Sequence, residues 1–428
     1  MKRRVLVAGL DGAPALLLDR WRDELPTLRG LMERGAYGVL RSCDPPITVP
    51  AWTSMTSSRS PGALGLYGFR NRRDRSYDGA VLADARSVRV PRVWDVLSHR
   101  GRDVIVLGVP QTYPVTPVNG VMVSCFQAPD GNAHTHPVEL AGELDYMTDV
   151  PAFRTDDKER VRCDAERMTA KRFHLAERLL DTWPWDLFFM VEMGTDRVQH
   201  ACWRSEEVVL DYYRALDAKL GRLLRRVEDD TAVLVVSDHG AKSMDGCLHV
   251  NELLRRQGYL TLRREPAEPT ALTPELVDWE RTVAWADGGY YARVYLNVAG
   301  REPVGVVAPF EYDGVRQDVA SRLSIGIAHT PEDLYGEVAG VAPDLLVYFG
   351  DLHLRAGALV GTDELVSSDN DTGPDEANHD HDGIYILAAE GVAEGPGPER
   401  DLHDVAPTIL SLLGEPVPAE MEGSPLSY

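Results

Sequence analysis

The residues best suited to chemistry in this sequence are aspartates and histidines that lie beside short apolar runs. They are Asp11, Asp196, His200, Asp238, His239 and His379. Aspartate and histidine together are the ligand set of cations such as zinc or manganese. Two such ions about 4 Å apart can activate a nucleophile and hold a phosphoryl oxygen during an in-line displacement. The pattern therefore suggests a metal site that acts on phosphate.

Thr48 is the candidate nucleophile of such a site. It lies in the stretch 45–56, where Pro50 suits the first turn of a helix. The backbone N–H groups at a helix N-terminus favour an anion such as phosphate. A threonine hydroxyl is a weak nucleophile, and metal coordination is one way to activate it. The alternative interpretation is that Thr48 is an ordinary helix cap beside a proline-rich turn.

Each candidate ligand also has an ordinary structural interpretation. Asp11 and Gly12 are typical of a strand-to-helix turn. Asp196 and His200, four residues apart, share a face if the segment is helical, and could belong to a capped, partly exposed helix. His379 lies in an acidic loop, where histidines are usually solvated. The joint occurrence of these groups favours the metal site over the separate explanations.

The elements that must position these residues are strands and helices in alternation. Continuous apolar runs, typical of strands buried on both faces, occur at 5–10, 104–109, 121–126, 187–191, 232–236, 345–349 and 384–388. Helical patterns lie between many of them, at 27–34, 93–100, 165–182, 206–228 and 405–413. This alternation predicts an α/β fold with a doubly wound, mostly parallel sheet and helices on both faces. In such sheets, sites form outside the carboxyl ends of the strands.

Two regions interrupt the alternation. Residues 128–157 are polar and rich in Pro, Gly and His, which predicts a flap-like insertion within the core. Between 249 and 343 the pattern changes again, and residues 290–298 alternate like an antiparallel strand. We therefore predict a core of residues 1–248 and 344–428, with an accessory or lid subdomain at 249–343.

Composition limits the partners. The 428 residues contain 45 Lys and Arg against 67 Asp and Glu, a net charge of −22, which argues against nucleic-acid polymers and anionic membranes as partners. Five cysteines without paired spacing indicate a reduced, cytoplasmic protein. No apolar run approaches the ~18 residues that span a bilayer. The expected partner is a small phosphorylated substrate, and the oligomeric state stays open.

The motifs, in this order, resemble the alkaline phosphatase superfamily, specifically its type I phosphodiesterase and nucleotide pyrophosphatase branch. The matching text is Asp11-Gly12, the stretch 45–54, Asp196 with His200, the stretch 237–240, His379 before 382–384, and the stretches 300–303 and 404–410. The resemblance covers most of the chain. It implies an alkaline phosphatase-like fold with lid insertions.

The resemblance also implies a role for each matched residue. One divalent ion would be held by Asp11, Thr48, Asp238 and His239, and the other by Asp196, His200 and His379. Thr48 would attack phosphorus and form a phospho-threonine intermediate that water then hydrolyses. The two ions would be Zn²⁺, with Mn²⁺ as the alternative.

The sequence departs from the family pattern around the substrate. The Cys or Ser followed by Pro and Arg that sulfatases need is missing, so a sulfatase is not expected. The nucleotide pyrophosphatases usually have an asparagine near the position of Phe69. Candidate substrate-binding residues in its place are Phe69 itself, Arg70, Asn71, Lys242 and His381, the last also a possible substitute ligand. A solvated charged loop is the alternative for the arginines.

The predicted function is a metal-dependent phosphoric ester hydrolase, either a phosphodiesterase or a phosphatase, acting on a small phosphorylated metabolite or nucleotide. Local arginines and Lys242 favour monoesters, whereas Trp52, Tyr67 and Phe69 offer the apolar wall of a diesterase. A phosphotransferase or phosphomutase that uses the same intermediate is the alternative enzyme. A non-catalytic protein that binds a phosphorylated ligand is the alternative from another class.

Overall fold

A computed structural model of the protein describes residues 3–129, 132, 134–368 and 370–426. The strands are β1 Val5–Leu10, β2 Ala36–Arg41, β3 Arg70–Arg72, β4 Ala80–Leu82, β5 Val104–Leu107, β6 Gly120–Val123, β7 Thr135–His136, β8 Leu187–Glu192, β9 Ala232–Val236, β10 Gly240–Ser243, β11 Gly246–His249, β12 Thr270–Ala271, β13 Ala284–Asp287, β14 Ala292–Leu296, β15 Gly326–His329, β16 Leu345–Phe349, β17 Leu354–Gly357, β18 Leu359–Val360, β19 Val366–Ser367, β20 Ala377–Asp380, β21 Asp382–Ala388, β22 Gly395–Pro396 and β23 Arg400–Asp401. The α-helices are α1 Pro26–Glu33, α2 Thr48–Ser57, α3 Pro61–Leu64, α4 Val93–His99, α5 Lys158–Thr182, α6 Gly194–Cys202, α7 Glu206–Leu224, α8 Val250–Arg256, α9 Tyr312–Arg322, α10 Pro331–Leu334 and α11 Val405–Leu412.

The central sheet has the order β22-β2-β21-β9-β1-β8-β5-β6-β7, with β23 beside β2. Strands β9, β1, β8, β5 and β6 run parallel, and β21 pairs antiparallel with β9. Strand β1 lies between β8 and β9, with Val5 opposite both Leu187 and Ala232. The carboxyl ends of these three strands therefore meet at one edge. The mostly parallel α/β sheet predicted from the apolar runs is confirmed.

Two groups of helices cover this sheet. Helices α1, α5, α6 and α7 pack together, and α2, α4 and α11 pack together. Each contributes apolar side chains to the main core, for example Phe173 from α5, Tyr213 from α7 and Ile409 from α11. The five helices expected from the sequence are all present, with bounds that differ from the predicted ones by a few residues. Among the described residues, no helix combines the length and the apolar character that crossing a bilayer requires.

A second sheet stands beside the first, in the order β13-β14-β16-β17-β11-β19, with β15 on β16. The antiparallel strand predicted within 290–298 is β14, which pairs with β13 and β16. The run 345–349 was expected to return to the central sheet, and that expectation is wrong. It forms β16, which pairs with β14 and β15 because the core of the second sheet buries apolar strands equally well.

The extent of the second sheet bears on the division of the chain. Its strands begin at Gly246 and end at Ser367, beyond the predicted lid of 249–343 at both sides. We propose that the accessory subdomain has bounds close to these strands. The predicted flap at 128–157 contains β7, a 3-10 helix at Val138–Glu143 and irregular chain that leads into α5, and its residues 130, 131 and 133 lie outside the described residues.

Candidate metal and phosphate site

The predicted ligands come together where the parallel strands end. Asp11 follows β1, Asp238 and His239 follow β9, Asp196 and His200 lie on α6, and His379 lies on β20. Thr48 is the first residue of α2. All seven side chains are buried, with at most 3% of their surface exposed. Strand topology thus joins segments that are up to several hundred residues apart in sequence.

The first ligand group contains Asp196, His200 and His379. The Asp196 Oδ1 atom lies 3.2 Å from Nε2 of His200 and 3.7 Å from Nε2 of His379. Helical spacing of four residues places the Asp196 and His200 side chains on one face of α6, as predicted. One carboxylate oxygen and two ring nitrogens therefore converge on one point.

The second ligand group contains Asp11, Asp196 and His239, with Asp238 beside it. Nε2 of His239 lies 3.8 Å from Oδ1 of Asp11 and 3.3 Å from Oδ2 of Asp238. The Thr48 hydroxyl lies 3.4 Å from the same nitrogen. Asp196 belongs to both groups, and the rings of His239 and His379 stack with centroids 3.7 Å apart. The two groups are therefore neighbours.

Backbone carbonyls determine which nitrogen of two histidines faces the site. Nδ1 of His239 lies 2.8 Å from the carbonyl oxygen of Gly240, and Nδ1 of His379 lies 2.8 Å from that of Pro46. A carbonyl only accepts, so each Nδ1 carries the hydrogen, and in the neutral ring Nε2 is a bare acceptor. Burial lowers the pKa of His239 to about 4 and that of His379 well below its ordinary value, so both rings are neutral at pH 7. Neutral rings held this way are the usual metal ligands.

Several buried atoms of the site have no hydrogen-bond partner within the described part of the chain. They are Oδ1 of Asp11, Oδ2 of Asp238 and Nε2 of His379. Buried polar atoms are nearly always paired, and here acceptors face other acceptors at 3.3 to 3.8 Å. Cations between these atoms would satisfy all of them. The donor set of carboxylates and imidazoles fits divalent metal ions such as zinc or manganese.

The buried carboxyl groups of the site shift one another's pKa values. Burial and the charge of Asp196 raise the pKa of Asp11 well above its ordinary value, and burial together with Asp11 does the same to Asp238. Burial also acts to raise the pKa of Asp196, but the charges of His200 and Arg197 overcome it and hold that pKa well below its ordinary value. Clustered buried carboxylates need compensating positive charge, as metal ions provide.

Three residues position the ligands although the sequence did not predict that role; one of them, Trp52, was expected in an apolar wall for a diester and is not among the described residues that line the 450 Å³ cavity beside the site. The indole of Trp52 donates to Oδ2 of Asp11 at 2.6 Å, which leaves Oδ1 for the site. Asp375 accepts from Nδ1 of His200 at 2.7 Å. Burial lowers the pKa of His200, but Asp375 and Asp196 reverse that effect and raise it to about 10.

Tyr290 is the third of these residues. Its ring stacks on that of His379 with centroids 3.7 Å apart, and its hydroxyl lies 3.4 Å from Nε2 of His200. It belongs to the second sheet region, so this region closes over the ligands. None of the three carries a local sequence signal, since each acts across a long separation in the chain.

A cavity of about 450 Å³ adjoins the ligand groups. Its wall includes Ile47, which precedes Thr48, and Arg197, which follows Asp196. Two of the predicted substrate-binding residues, Phe69 and Arg70, line this cavity. The Phe69 ring makes an edge contact with Phe126, with centroids 6.3 Å apart. The space beside the ligands is therefore partly aromatic.

The other three predicted substrate-binding residues are placed elsewhere. Asn71 accepts from the Tyr67 amide at 2.7 Å and donates to the Gly68 carbonyl at 2.9 Å, so it holds a turn. The Lys242 ammonium lies 3.1 Å from Asp380 and 3.3 Å from Asp351. His381 bonds to Asp44 at 2.9 Å. None of the three is among the described residues that line the 450 Å³ cavity.

A parallel α/β sheet with a buried Asp and His cluster at its carboxyl edge is the arrangement expected of an alkaline phosphatase-like phosphoric ester hydrolase. The profile of the type I phosphodiesterase / nucleotide pyrophosphatase family matches residues 5–367. The chain belongs to this family of metal-dependent phosphoric ester hydrolases. No curated protein matches the chain significantly in sequence.

Solved structures agree on the fold. Human ectonucleotide pyrophosphatase / phosphodiesterase 5 superposes with a TM-score of 0.62 at 14% identity, covering 99% of this chain and 97% of the other. The murine protein, inactive and in complex with AMP, superposes with a TM-score of 0.62 at 14% identity, covering 97% of this chain and 96% of the other. Phosphonoacetate hydrolase from Sinorhizobium meliloti, in complex with phosphonoformate, superposes with a TM-score of 0.63 at 17% identity, covering 96% of this chain and 95% of the other. At these identities the likeness concerns the fold.

Proposed function

We propose that the chain hydrolyses a small phosphoric ester, with Thr48 as the nucleophile and two divalent ions in the ligand groups. The observation that carries the proposal is the set of buried acceptors without partners in the ligand groups, beside which the Thr48 hydroxyl lies 3.4 Å from Nε2 of His239. The N-cap position of α2 is Ile47 and Thr48 is the next residue; the Thr48 hydroxyl contacts Nε2 of His239, which disfavours the helix-cap alternative.

The residues would divide between two ions as the resemblance implies, with Asp196 close to both ligand groups. Asp11, Thr48, Asp238 and His239 would hold one, and Asp196, His200 and His379 the other. When bound, the ions would lower the pKa of hydroxyl groups and neutralise charge that develops on the phosphoryl oxygens. Zn²⁺ is the first choice for this ligand set and Mn²⁺ the alternative.

In the proposed reaction Thr48 is the attacking group. Its hydroxyl loses its proton to solvent as Oγ1 forms the new bond to phosphorus, while the bond to the leaving oxygen breaks; the leaving oxygen takes that electron pair and then a proton from solvent. Attack by water on the phospho-threonine then restores the Thr48 hydroxyl and releases the phosphoryl group. Gly12 supports this centre, since it has φ of +67° and its amide donates to Asp238 at 3.2 Å.

The Gly12 position has little room for a side chain. A Cβ there would lie 3.3 Å from the His239 ring and 3.4 Å from Oδ1 of Asp196. A positive φ is also the conformation in which glycine is favoured. The turn after β1 therefore brings Asp11 and Asp238 together without occupying the space of the ligands.

The proposal is tested with the metal-loaded protein on p-nitrophenyl phosphate monoesters and diesters and on nucleotides. We expect Thr48→Ala to lower kcat by at least about 10³-fold, because removal of a covalent nucleophile leaves only binding and electrostatic effects. Thr53→Ala is the matched control, since this buried hydroxyl of the same helix donates to the Val49 carbonyl at 2.7 Å, its one hydrogen bond among the described residues. A fully active Thr48→Ala enzyme would contradict the mechanism.

Product analysis separates the remaining alternatives. Hydrolysis gives phosphate or a monoester, whereas a phosphotransferase would transfer the group to an added acceptor alcohol in preference to water. A protein that only binds a phosphorylated ligand would show no turnover with any ester while holding two ions. The rate of monoester against diester hydrolysis in the same panel decides between phosphatase and phosphodiesterase.

A further inference from the structure

The 450 Å³ cavity beside the ligand groups is unusually cationic for this protein. Five arginines line it, namely Arg70, Arg154, Arg197, Arg293 and Arg355. The chain as a whole has a net charge of −22. Positive charge concentrated in a cavity of an acidic protein attracts anions, and low-dielectric walls strengthen the attraction.

The arginines outnumber the carboxylates that contact them outside the metal groups. Arg154 and Arg355 share a single carboxylate oxygen of Asp375, at 3.0 and 2.8 Å. That same carboxylate also bonds to His200. The Nε donor of Arg355, a side chain only 3% exposed, has no hydrogen-bond partner within the described ranges. The part of the cavity wall formed by Arg154 and Arg355 therefore has N–H donors that are not used by the protein.

The part of the cavity wall formed by Arg70 and Arg293 has even less compensating negative charge. Arg293 reaches Asp287 only at 3.6 Å, and its guanidinium donates to the carbonyl of Arg70. The Arg70 side chain is exposed and makes no ion pair with any residue that the structure describes. Gly68 lies against Arg293, where a Cβ would be 3.4 Å from the guanidinium. The Arg70 guanidinium is thus left for a ligand, and Arg293 beside it has further N–H donors besides those directed at Arg70 and Asp287.

Arg70 and Arg293 also lie where the cavity continues. Both line a second cavity of about 250 Å³, whose wall includes Trp279 and Trp285. A substrate whose phosphoryl group is at Thr48 would extend along the first cavity toward this pair. The pair is therefore a contact for the leaving group and not for the phosphoryl group itself.

We propose that Arg70 and Arg293 form a second anion subsite, which selects phosphoric esters whose leaving group carries its own carboxylate or phosphate. This inference rests on the proposed function and specifies its substrate class. Guanidinium groups bind both anions with directed, charge-assisted hydrogen bonds, so the shared feature is a second negative charge at the far end of the substrate.

The test compares esters that differ in charge at the far end of the leaving group. The neutral reference is 4-(methoxycarbonyl)phenyl phosphate, whose electron-withdrawing ester group makes its phenol a better leaving group than those of the charged probes, so leaving-group reactivity works against the expected preference. The charged probes are 4-carboxyphenyl phosphate and 1,4-phenylene bisphosphate, which separate a carboxylate from a phosphate. We expect kcat/KM for at least one charged probe to exceed that of the reference by about tenfold or more.

Variants assign the preference to the subsite. Arg70→Gln and Arg293→Gln should reduce the preference to below about threefold, because kcat/KM of the charged probes falls more than that of the neutral reference. Arg73→Gln is the matched control, because Arg73 is in the same hairpin region, is 72% exposed and, among the described residues, pairs with Asp74 alone. No preference in the wild type, or an equal loss on charged and neutral esters, would overturn the proposal.

Measurements of binding affinity test this inference separately from the proposed function. Calorimetry with metal-loaded Thr48→Ala protein measures the affinity for the same three esters without turnover. Tighter binding of a charged probe that depends on Arg70, in a wild type that hydrolyses nothing, would retain the subsite and reject the hydrolase. Hydrolysis with no preference in either rate or affinity would retain the hydrolase and reject the subsite.

Discussion

At the scale of single residues, each candidate ligand has one atom held by the protein and one left for the site. Trp52 holds one oxygen of Asp11, and the carbonyls of Gly240 and Pro46 hold one nitrogen each of His239 and His379. Such outer contacts orient ligands and reduce the reorganisation that binding requires. The geometry is therefore prepared for cations before they arrive.

The ligands could be predicted from the sequence, whereas their supports could not. Asp11 and Asp238 lie just after apolar runs, so the neighbouring sequence is enough to predict them as site residues. Trp52 acts on Asp11 across 41 residues and Asp375 acts on His200 across 175. At such separations the contact depends on how strands pair and loops fold back. Lys242 follows two ligands directly in sequence, yet strand β10 places its ammonium against Asp351 and Asp380.

Asp375 gives the first prediction at this scale. We expect Asp375→Asn to weaken metal binding by about 10- to 100-fold, because the neutral amide accepts a weaker hydrogen bond from His200 and lowers the basicity of its Nε2. Competition with a chromophoric chelator measures Zn²⁺ affinity directly.

Asp363→Asn is the control, since Asp363 is an exposed carboxylate in the same acidic loop. The unfolding midpoint in chelator should be compared as well, because a purely structural role would change that midpoint and not the affinity. Unchanged Zn²⁺ affinity in Asp375→Asn would show that Asp375 does not position the ligand.

At the scale of elements, the central strands could be predicted because both faces of a parallel sheet are covered by helices and their residues are nearly all apolar, with Glu192 at the end of β8 an exception. That argument failed for 345–349, since β16 is just as buried within the second sheet. Composition indicates that a strand is buried on both faces but does not identify its neighbours. Pairing depends on long-range packing that no window of sequence contains.

Helix α8, which packs against strands of the second sheet, allows a test of how the stability of the fold depends on pH. The Glu252 carboxylate, fully buried, accepts from Arg255, Arg256 and the Gly361 amide at 2.8 to 3.0 Å. Burial acts to raise its pKa, but these donors overcome that effect and lower the pKa from 4.5 to about 2. The carboxylate therefore connects α8 to the chain around β18.

A lowered pKa in the folded state means that the stabilisation is complete above about pH 4.5 and is lost as the pH falls through about 2. We expect Glu252→Gln to reduce the free energy of unfolding by about 2 kcal/mol at pH 7, measured by urea unfolding. The difference from wild type should shrink as the pH is lowered from 4.5 toward 2. Glu265→Gln, which removes an exposed partner of Arg255, should have little effect. A difference that is constant across this range would contradict the assignment.

At the scale of the whole molecule, the site lies where three parts of the chain meet. The central sheet supplies the ligands, the second sheet region supplies Tyr290 and Arg355, and the flap supplies Arg154. Asp375 contacts His200 and both of these arginines, so it connects metal ligands to the wall of the cavity. Binding at the centre should therefore affect the stability of all three parts.

This connection leads to a prediction about metal removal. Burial already raises the pKa values of Asp11 and Asp238, which shows that their charged forms are unfavourable without a compensating cation. An ion that binds only the folded state at 100 times its Kd adds about 2.7 kcal/mol of stability. For two ions we expect EDTA to lower the unfolding temperature by on the order of 5 °C or more, measured by calorimetry, and Zn²⁺ or Mn²⁺ to restore it.

Two variants show that the effect of EDTA arises at this site. Asp238→Asn removes a ligand and an unfavourable buried charge together, so its unfolding temperature without metal should equal or exceed that of the wild type, and its gain on adding Zn²⁺ should be smaller. Thr53→Ala should keep the full metal response, because its hydroxyl is bonded within α2. The same response to EDTA in Asp238→Asn as in wild type would place the stabilising ions elsewhere, since only ions in these ligand groups make stability depend on that carboxylate.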